Sequence, residues 1–441
     1  MDLYDALYDA LENERPLNLD IPADQALYVD GLHKVDGINP ADELLRQIHR
    51  ARDGGAWFFS GHRGVGKSTE LLRIAHKLRQ DDHFVVVADM GQRINLAEEI
   101  SIEVLLLTMM AELSAAFEKQ FGGQPLQRGY LQRMVDFFTR TNVQVSQVSL
   151  GMAGGGAKAD FTVLIKDDPT LREKVVAAAR GSLGSFVDEV RTYVKEVLAH
   201  VAVHKPGKKV VLILDSLEKL RVSGVDAAQR YDAIQKTFEV HADHLKYEGM
   251  SVVYSIPPYL PYLAPRIGAY FNVSVCSLPH VKVFERPGPG FTRDATNAVG
   301  IAYIVDSLKR RYADCERVIV KTQIERLARA SSGSLRDFFR LVKIVCTKAP
   351  LANEPVPMAG ERWIEAAENE LRAEMPLAGE DIAWLKAVRE SQGTGLDKID
   401  NLPKLARLFD SGVILSYRNS QDWCDVHYLL RKQVDDATLS S

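Results

Sequence analysis

A glycine-rich loop between an apolar stretch and a helical pattern constrains the fold more than any other feature of this chain. Residues Gly61 to Ser68 read G-x-x-x-x-G-K-S and follow the apolar run 56–59. Apolar side chains then recur at helical spacing from Leu71 to Leu78. This order of strand, glycine loop and helix is the context that a phosphate-binding loop, or P-loop, requires. The chain is therefore predicted to bind nucleotide phosphates at this loop.

The residues of the P-loop have distinct expected roles. Its glycines let backbone N–H groups point inward around the phosphates, and the following helix adds its positive N-terminal end. Lys67 is expected to reach the β and γ phosphates, and the Ser68 hydroxyl is expected to bind Mg²⁺. A structural glycine loop without nucleotide is the alternative. The predicted nucleotide-contacting residues are Gly61, His62, Arg63, Gly64, Val65, Gly66, Lys67, Ser68 and Thr69.

Length and composition exclude several classes of protein. The 441 residues suffice for two or three domains, and a net charge of −4 gives no overall attraction to nucleic acid or anionic membranes. The four cysteines are far apart and form no C-x-x-C pair, so neither a disulfide framework nor a zinc site is indicated. No apolar run approaches the roughly 20 residues that cross a bilayer. The acidic N-terminus lacks a signal peptide, and we expect a cytoplasmic protein.

Apolar strands alternate with helical stretches along much of the chain. Strands are predicted at 56–60, 84–89, 208–215, 251–256 and 281–284. Continuous apolar strands of this kind indicate a parallel sheet covered by helices on both faces, so the predicted fold class is α/β with a five-stranded parallel sheet. The predicted domains are an N-terminal helical segment (1–50), a P-loop ATPase core (51–290), a helical lid (291–375) and a winged helix-turn-helix (376–441).

The alternation stops between about 120 and 207, which predicts an insertion in the core. Residues 143–165 read as a bulged hairpin with a glycine-rich tip at 151–156. A long helix with one apolar face is predicted from Leu183 to Val201. The hairpin tip is interpreted as a solvent-exposed loop, and contact with a partner or a membrane is the alternative.

Candidate catalytic acids follow the strand 208–215. Asp215 ends this strand and is predicted to hold Mg²⁺ through water opposite Ser68, because a P-loop needs such a partner. Many P-loop ATPases have a glutamate directly after this aspartate to orient the attacking water, whereas this chain has Ser216. Glu218 is the next acid and is the predicted catalytic base, although it can instead cap the following helix. Hydrolysis is therefore expected to be slow.

Three further polar residues are candidates for sensing or completing the nucleotide site. Ser255 ends the strand 251–256 and is either a γ-phosphate sensor or an ordinary strand-end hydroxyl. Arg336 opens a helix after a Ser-Ser-Gly-Ser break and is predicted to reach the nucleotide from the lid, with a surface salt bridge as the alternative. Arg266 is a weaker candidate for an arginine that reaches a neighbouring subunit's nucleotide.

The last segment reads as helices followed by a hairpin with strands at 413–417 and 422–426, the pattern of a winged helix. Winged helices bind either DNA or proteins. From Pro376 to Ser441 there are eight basic and ten acidic side chains, whereas duplex binding usually needs a basic stripe. Lys404, Arg407 and Arg418 favour DNA, but the charge balance favours a protein partner.

Four stretches together resemble one family. Residues 59–71, Leu212 to Glu218, Ser332 to Asp337 and the 417–428 wing are similar to bacterial AAA+/STAND-type P-loop ATPases that end in a winged helix. The resemblance spans about residues 24–436, except for 120–207. It implies an ASCE-type sheet with strand order 5-1-4-3-2, ATP with Mg²⁺ as ligands, and nucleotide-dependent assembly. The chain has no N-K-x-D guanine-reading motif, as expected for ATP.

Members of that family are switches in signalling and often in anti-phage defence. The resemblance implies a homo-oligomer that acts through a separate effector protein. The first hypothesis is therefore a slowly hydrolysing ATP-dependent switch. A DNA-binding ATPase of the initiator or transposition-helper type is the second hypothesis, and a scaffold in which ATP is purely structural is the third.

Overall fold

The computed structural model describes residues 2–12, 15–35, 37–95, 100–122, 126, 129–140, 168–217, 227–288 and 290–437. The strands are β1 (Gly55–Gly61), β2 (Phe84–Asp89), β3 (Val210–Asp215), β4 (Met250–Ile256), β5 (Cys276–Leu278), β6 (Ile414–Arg418) and β7 (Asp422–Val426). The α-helices are Leu3–Ala10, Pro22–Leu27, Pro40–Arg50, Lys67–Gln80, Met90–Arg93, Ile102–Phe121, Tyr130–Arg140, Pro169–Gly181, Leu183–His204, Ala227–Gln235, Leu260–Leu263, Ile267–Phe271, Ala298–Arg311, Lys321–Ala330, Leu335–Leu351, Arg362–Ala373, Asp381–Ser391, Leu402–Asp410 and Tyr428–Asp436. Short 3₁₀-helices are Ala242–Leu245, Cys315–Arg317 and Ile399–Asn401, and Lys236–Val240 is a π-helix.

Five strands form one sheet in the order β2-β3-β4-β1-β5. The pairs β1 with β4, β3 with β4 and β2 with β3 are all parallel. Every residue of β3 and β4 is buried, as their continuous apolar sequences require in a sheet covered on both faces. The α/β fold class and the strand order 5-1-4-3-2 are confirmed.

The position predicted for the fifth strand is wrong. β5 is Cys276–Leu278, and residues 281–284 form only an isolated bridge between Phe284 and Thr296. The Val281 N–H donates instead to the Gly333 carbonyl at 3.2 Å. Val281, Val283 and Phe284 are buried, so their apolar side chains pack in the core although this segment does not pair as a strand of the sheet.

The chain divides into two compact units. The P-loop unit consists of Met1–Glu43, Gly61–Arg73 and Ser277–Ser441, and the sheet unit consists of Leu44–Ser60 and Ile74–Cys276. The four-domain division made from the sequence stays a prediction.

Four helices pack together in the sheet unit: Ile102–Phe121, Tyr130–Arg140, Pro169–Gly181 and Leu183–His204. The Tyr130 hydroxyl donates to the Leu107 carbonyl at 3.1 Å, which joins the first two helices. Arg133 pairs with Glu189 at 3.1 Å and Glu196 at 2.5 Å, which joins the second to the fourth. The long helix predicted at 183–201 is confirmed, whereas the hairpin predicted at 143–165 lies outside the described residues.

In the P-loop unit, a sharp turn separates the helices Lys321–Ala330 and Leu335–Leu351. Ser332 and Gly333 have φ values of +53° and +87°, and the Ser334 hydroxyl caps the second helix by accepting from the Asp337 N–H. A Cβ on Gly333 would overlap the Val281 carbonyl oxygen. Only glycine therefore lets this turn lie against the 279–284 segment.

The C-terminal hairpin predicted from the sequence is present. β6 and β7 are antiparallel, with Ser416 opposite Cys424. The rings of Tyr417 and Trp423 stack with centroids 4.6 Å apart, and the Tyr417 hydroxyl donates to the Ser332 carbonyl at 2.7 Å. The hairpin is thus attached to the turn that precedes the helix Leu335–Leu351.

Gly333→Ala is expected to lower the free energy of unfolding by about 2–4 kcal/mol, because the methyl group both strains a left-handed residue and displaces a carbonyl. Gly412→Ala is the matched control. Its φ is +71°, but no described atom lies within 4 Å of the position of its Cβ, so a loss of about 1 kcal/mol is expected. Urea titration measures both values. Equal losses of unfolding free energy in the two variants would contradict the close approach of Gly333 to the Val281 carbonyl.

Candidate functional site

The P-loop connects the last residue of β1 to the helix Lys67–Gln80. Gly64 and Gly66 have φ values of +89° and +100°, which other residues adopt only with strain. These values curl the loop so that successive N–H groups can face an anion. The backbone shape expected for phosphate binding is therefore present.

Lys67 begins the helix with its amine beside the loop. Its side chain is buried, and Nζ donates to the carbonyl oxygens of Gly61 at 2.7 Å and His62 at 2.8 Å. The cation is therefore held inside the curve of the loop, the position from which a lysine can reach phosphates. Its role in binding the β and γ phosphates stays a prediction.

Arg336 lies against the P-loop within the same unit. A Cβ built on Gly64 would be 3.0 Å from Arg336 Cβ and 3.4 Å from Ser334 Oγ. The start of the helix Leu335–Leu351 therefore touches the P-loop at a residue where a side chain would push the two apart. This contact places Arg336 close to the P-loop, and its catalytic role stays a prediction.

The His62 side chain is buried and contacts both β6 and the helix Leu402–Asp410. Its Nε2 lies 2.7 Å from Ser416 Oγ on β6, and its ring meets Phe409 edge to face with centroids 4.6 Å apart. Burial, the neighbouring His280 and Lys67 hold the pKa of His62 well below its usual value. The ring is therefore neutral at physiological pH. Sequence reasoning placed His62 only among the nucleotide contacts.

Glu70 in the first turn of the helix is a buried carboxylate that sequence reasoning missed. It accepts from the Tyr28 hydroxyl at 2.8 Å, Asn39 Nδ2 at 3.2 Å and Arg73 Nε at 2.8 Å. Arg73 also pairs with Asp42 at 2.7 Å. Burial and the Glu70 carboxylate raise the pKa of Tyr28, so the phenol stays protonated and donates. The spacing of Glu70 and Arg73 on one helix face was the available sequence signal.

A second contact holds the N-terminal segment beside the P-loop helix. The Leu17 N–H donates to Thr69 Oγ1 at 3.1 Å. Together with the bonds to Glu70, this bond holds Leu17, Tyr28 and Asn39 against the first turn of the helix. The N-terminal segment therefore supports the helix that follows the P-loop.

A cavity of about 890 Å³ borders the P-loop at His62 and Arg63 and the helix Leu335–Leu351 at Arg336. This volume lies in the range of sites for small ligands. One face of the helix Leu335–Leu351 adds cations to it, of which Arg340 pairs with Glu374 and Lys348 with Glu370. The walls of the cavity therefore carry charges of both signs.

Asp215 lies in the sheet unit at the end of β3, opposite Asp89 of β2. Its side chain is buried, and Oδ1 accepts from the Ser216 N–H at 2.7 Å. Ser216 has a φ of +71°, a strained value for a residue with a side chain. Strain of this kind concentrates at functional sites, which supports the assignment of this strand end as a site.

The remaining predicted residues have different outcomes. Ser255 is fully buried and its hydroxyl accepts from the Leu217 N–H at 3.1 Å, as an ordinary strand-end hydroxyl does. Arg266 is exposed and immediately precedes the helix Ile267–Phe271. Glu218 lies outside the described residues. The roles of all three stay predictions.

The cations that favoured DNA binding are engaged in ion pairs. Lys404 Nζ and Arg407 Nη2 lie 3.4 Å and 2.6 Å from Oδ1 of Asp381, whose side chain is fully buried. Arg418 pairs with Asp422 in the hairpin. Lys404 and Arg407 therefore share one carboxylate, and Arg418 has its own.

Comparison with known proteins gives little beyond the fold. No protein-family model and no curated protein sequence matches the chain. Similar solved structures include the Aeropyrum pernix ORC2 protein with ADPNP and ADP (13% identity, TM-score 0.39, 98% of this chain and 96% of that chain). Its ADP form (11%, 0.41, 93% and 95%) and Cdc6p from Pyrobaculum aerophilum (10%, 0.36, 97% and 98%) are also similar. At these TM-scores the likeness carries no inference about ligands or partners.

Among the described residues, no helix is both long and apolar enough to span a lipid bilayer.

Acid should destabilise the P-loop unit through its buried histidines. Burial lowers the pKa of His280 and of His427 to about 3, so the unfolded chain takes up protons below about pH 6.5 that the folded chain does not. The free energy of unfolding then falls with falling pH between about 6.5 and 3, by about 1.4 kcal/mol per pH unit for each histidine.

His427→Asn isolates one of these two histidines. Asparagine keeps an acceptor for the Leu429 N–H that His427 Nδ1 caps, but it does not titrate. Urea titrations between pH 4.5 and 6 are expected to give a slope shallower by about 1.4 kcal/mol per pH unit. Parallel slopes for variant and wild type would show that His427 becomes protonated in the folded chain.

Proposed function

We propose that this protein is an ATP-binding and slowly hydrolysing molecular switch of the AAA+/STAND type. The contact of Arg336 and Ser334 with Gly64 carries this proposal. It ties the loop that binds phosphates to the helix Leu335–Leu351 within one compact unit. A phosphate bound at the loop therefore acts on that helix directly.

The residues present are compatible with ATP and Mg²⁺. The positive φ values of Gly64 and Gly66 and the inward amine of Lys67 suit a triphosphate. Ser68 and Asp215 offer a hydroxyl and a carboxylate, the hard oxygen ligands that Mg²⁺ prefers. Bound Mg²⁺ would neutralise charge on the β and γ phosphates.

In hydrolysis, Lys67 and Arg336 stabilise charge on the γ-phosphate and Glu218 orients the attacking water. Asp215 would help to hold Mg²⁺. The residue after Asp215 is a serine in a left-handed conformation, so the usual position of the catalytic glutamate is unused. Slow turnover follows, and it suits a switch more than a motor.

The proposed output is assembly into a homo-oligomer and recruitment of a separate effector protein. The acidic balance of residues 376–441 supports a protein partner over DNA, and Asp381 offsets one of the two positive charges of Lys404 and Arg407. Bacterial anti-phage defence is the proposed setting, on the family resemblance alone. A DNA-binding ATPase remains the alternative.

ATP is expected to raise the molar mass measured by light scattering, whereas ADP is not. Lys67→Ala is expected to abolish the rise and to weaken ATP binding at least 100-fold, because the phosphates lose their lysine. Lys309→Ala removes an exposed lysine on a distant helix and is the charge-matched control. Turnover that accelerates only with duplex DNA, and with a steep dependence on salt, would favour the alternative.

Glu218→Gln is expected to bind ATP with wild-type affinity while phosphate release falls by 10²-fold or more, because an amide cannot accept the proton of the attacking water. Phosphate release and calorimetric binding measure the two quantities separately. Unchanged turnover would remove Glu218 as the base.

A further inference from the structure

We infer that His62 is a positioning residue that couples the phosphate lysine to the C-terminal hairpin. The inference rests on the proposed nucleotide binding, and it assigns to His62 and Ser416 a role in setting nucleotide affinity. His62 makes two contacts that matter here, one through its backbone carbonyl and one through its ring.

The two ends of His62 face different partners. Its carbonyl oxygen accepts from Lys67 Nζ at 2.8 Å, and its ring Nε2 lies 2.7 Å from Ser416 Oγ. The ring is nearly inaccessible, with 3% of its surface exposed, and packs on Phe409 and His280. A rotation of the His62 peptide therefore changes the distance between the ring and Ser416 Oγ.

Phosphate oxygens compete with the carbonyls for the lysine. Hydrogen bonds between two charged groups are roughly twice as strong as those with a neutral partner. A triphosphate in the loop therefore draws Lys67 Nζ away from the carbonyls of Gly61 and His62. The His62 peptide then loses a donor and is free to turn, unless the ring holds it.

Ser416, in a paired strand of the hairpin, holds the His62 ring in place. It lies in the middle of β6, opposite Cys424, and its carbonyl accepts from the His280 N–H at 2.9 Å. A displacement of the hairpin is therefore transmitted to the P-loop through the Ser416 hydroxyl. By linkage, if the hairpin contact changes the affinity for phosphate, bound phosphate changes the stability of the hairpin contact by the same free energy.

The hairpin contact opposes nucleotide binding in this arrangement, because it stabilises the His62 peptide that keeps Lys67 bonded to carbonyls. Removing one hydrogen bond is worth about 0.5–1.5 kcal/mol, or roughly 2- to 12-fold in affinity. Ser416→Ala is expected to tighten ATP binding within this range. Ser416→Thr keeps the hydroxyl and is expected to retain the wild-type dissociation constant.

Tyr417→Phe is the matched control in the same hairpin. It removes the bond from the Tyr417 hydroxyl to the Ser332 carbonyl, which attaches the hairpin without touching the P-loop. It is expected to speed amide hydrogen exchange in β6 and β7 at least as much as Ser416→Ala does, while changing the dissociation constant for ATP less than Ser416→Ala does. The Ser416 effect is thereby separated from general loosening of the hairpin.

The experiment measures ATP dissociation constants by calorimetry and amide exchange of residues 414–426 with and without ATP. In wild type, ATP is expected to accelerate this exchange, and the acceleration should be smaller in Ser416→Ala. His62→Ala combined with Ser416→Ala should bind ATP as His62→Ala alone does. Wild-type binding that depends on Lys67, together with an unchanged constant in Ser416→Ala, would overturn this inference and leave the proposed function intact. Absence of ATP binding in wild type would overturn both.

Discussion

The curl of the loop between β1 and the helix Lys67–Gln80 is the constraint on which the P-loop unit depends. Two residues must have positive φ, and both are glycines without side chains to fill the space beside them. Arg336 and Ser334 occupy that space at Gly64, and His33 Nε2 lies 3.4 Å from the position of a Cβ on Gly66. The loop is therefore shaped by its own backbone and then held by groups from distant parts of the sequence.

Features set by neighbours in sequence were predictable. The glycine spacing predicted the loop, and the continuous apolar runs predicted four of the five strands at their observed positions. The Ser-Ser-Gly-Ser break predicted the start of the helix Leu335–Leu351. The fifth strand was misplaced because an alternating apolar pattern reports burial and does not report which backbone supplies the hydrogen bonds.

Features set by distant partners were not predictable. Glu70 meets donors 42 and 31 residues earlier in the chain, and His62 meets a hydroxyl 354 residues later. The sequence did not indicate that Lys404 and Arg407 share one buried carboxylate, Asp381. Charge counting over a segment gives its net sign but not which charges lie next to one another.

The placement of Glu70 also limits how this protein can be shortened. A fragment that started at β1 would contain every glycine of the loop and the whole following helix. It would nevertheless lose Tyr28, Asn39 and Asp42, leaving Glu70 with Arg73 as its remaining partner among the described contacts. Each lost hydrogen bond is worth about 0.5–1.5 kcal/mol. A fragment that keeps the support of the P-loop helix must therefore begin well upstream of the glycine motif, near Leu17.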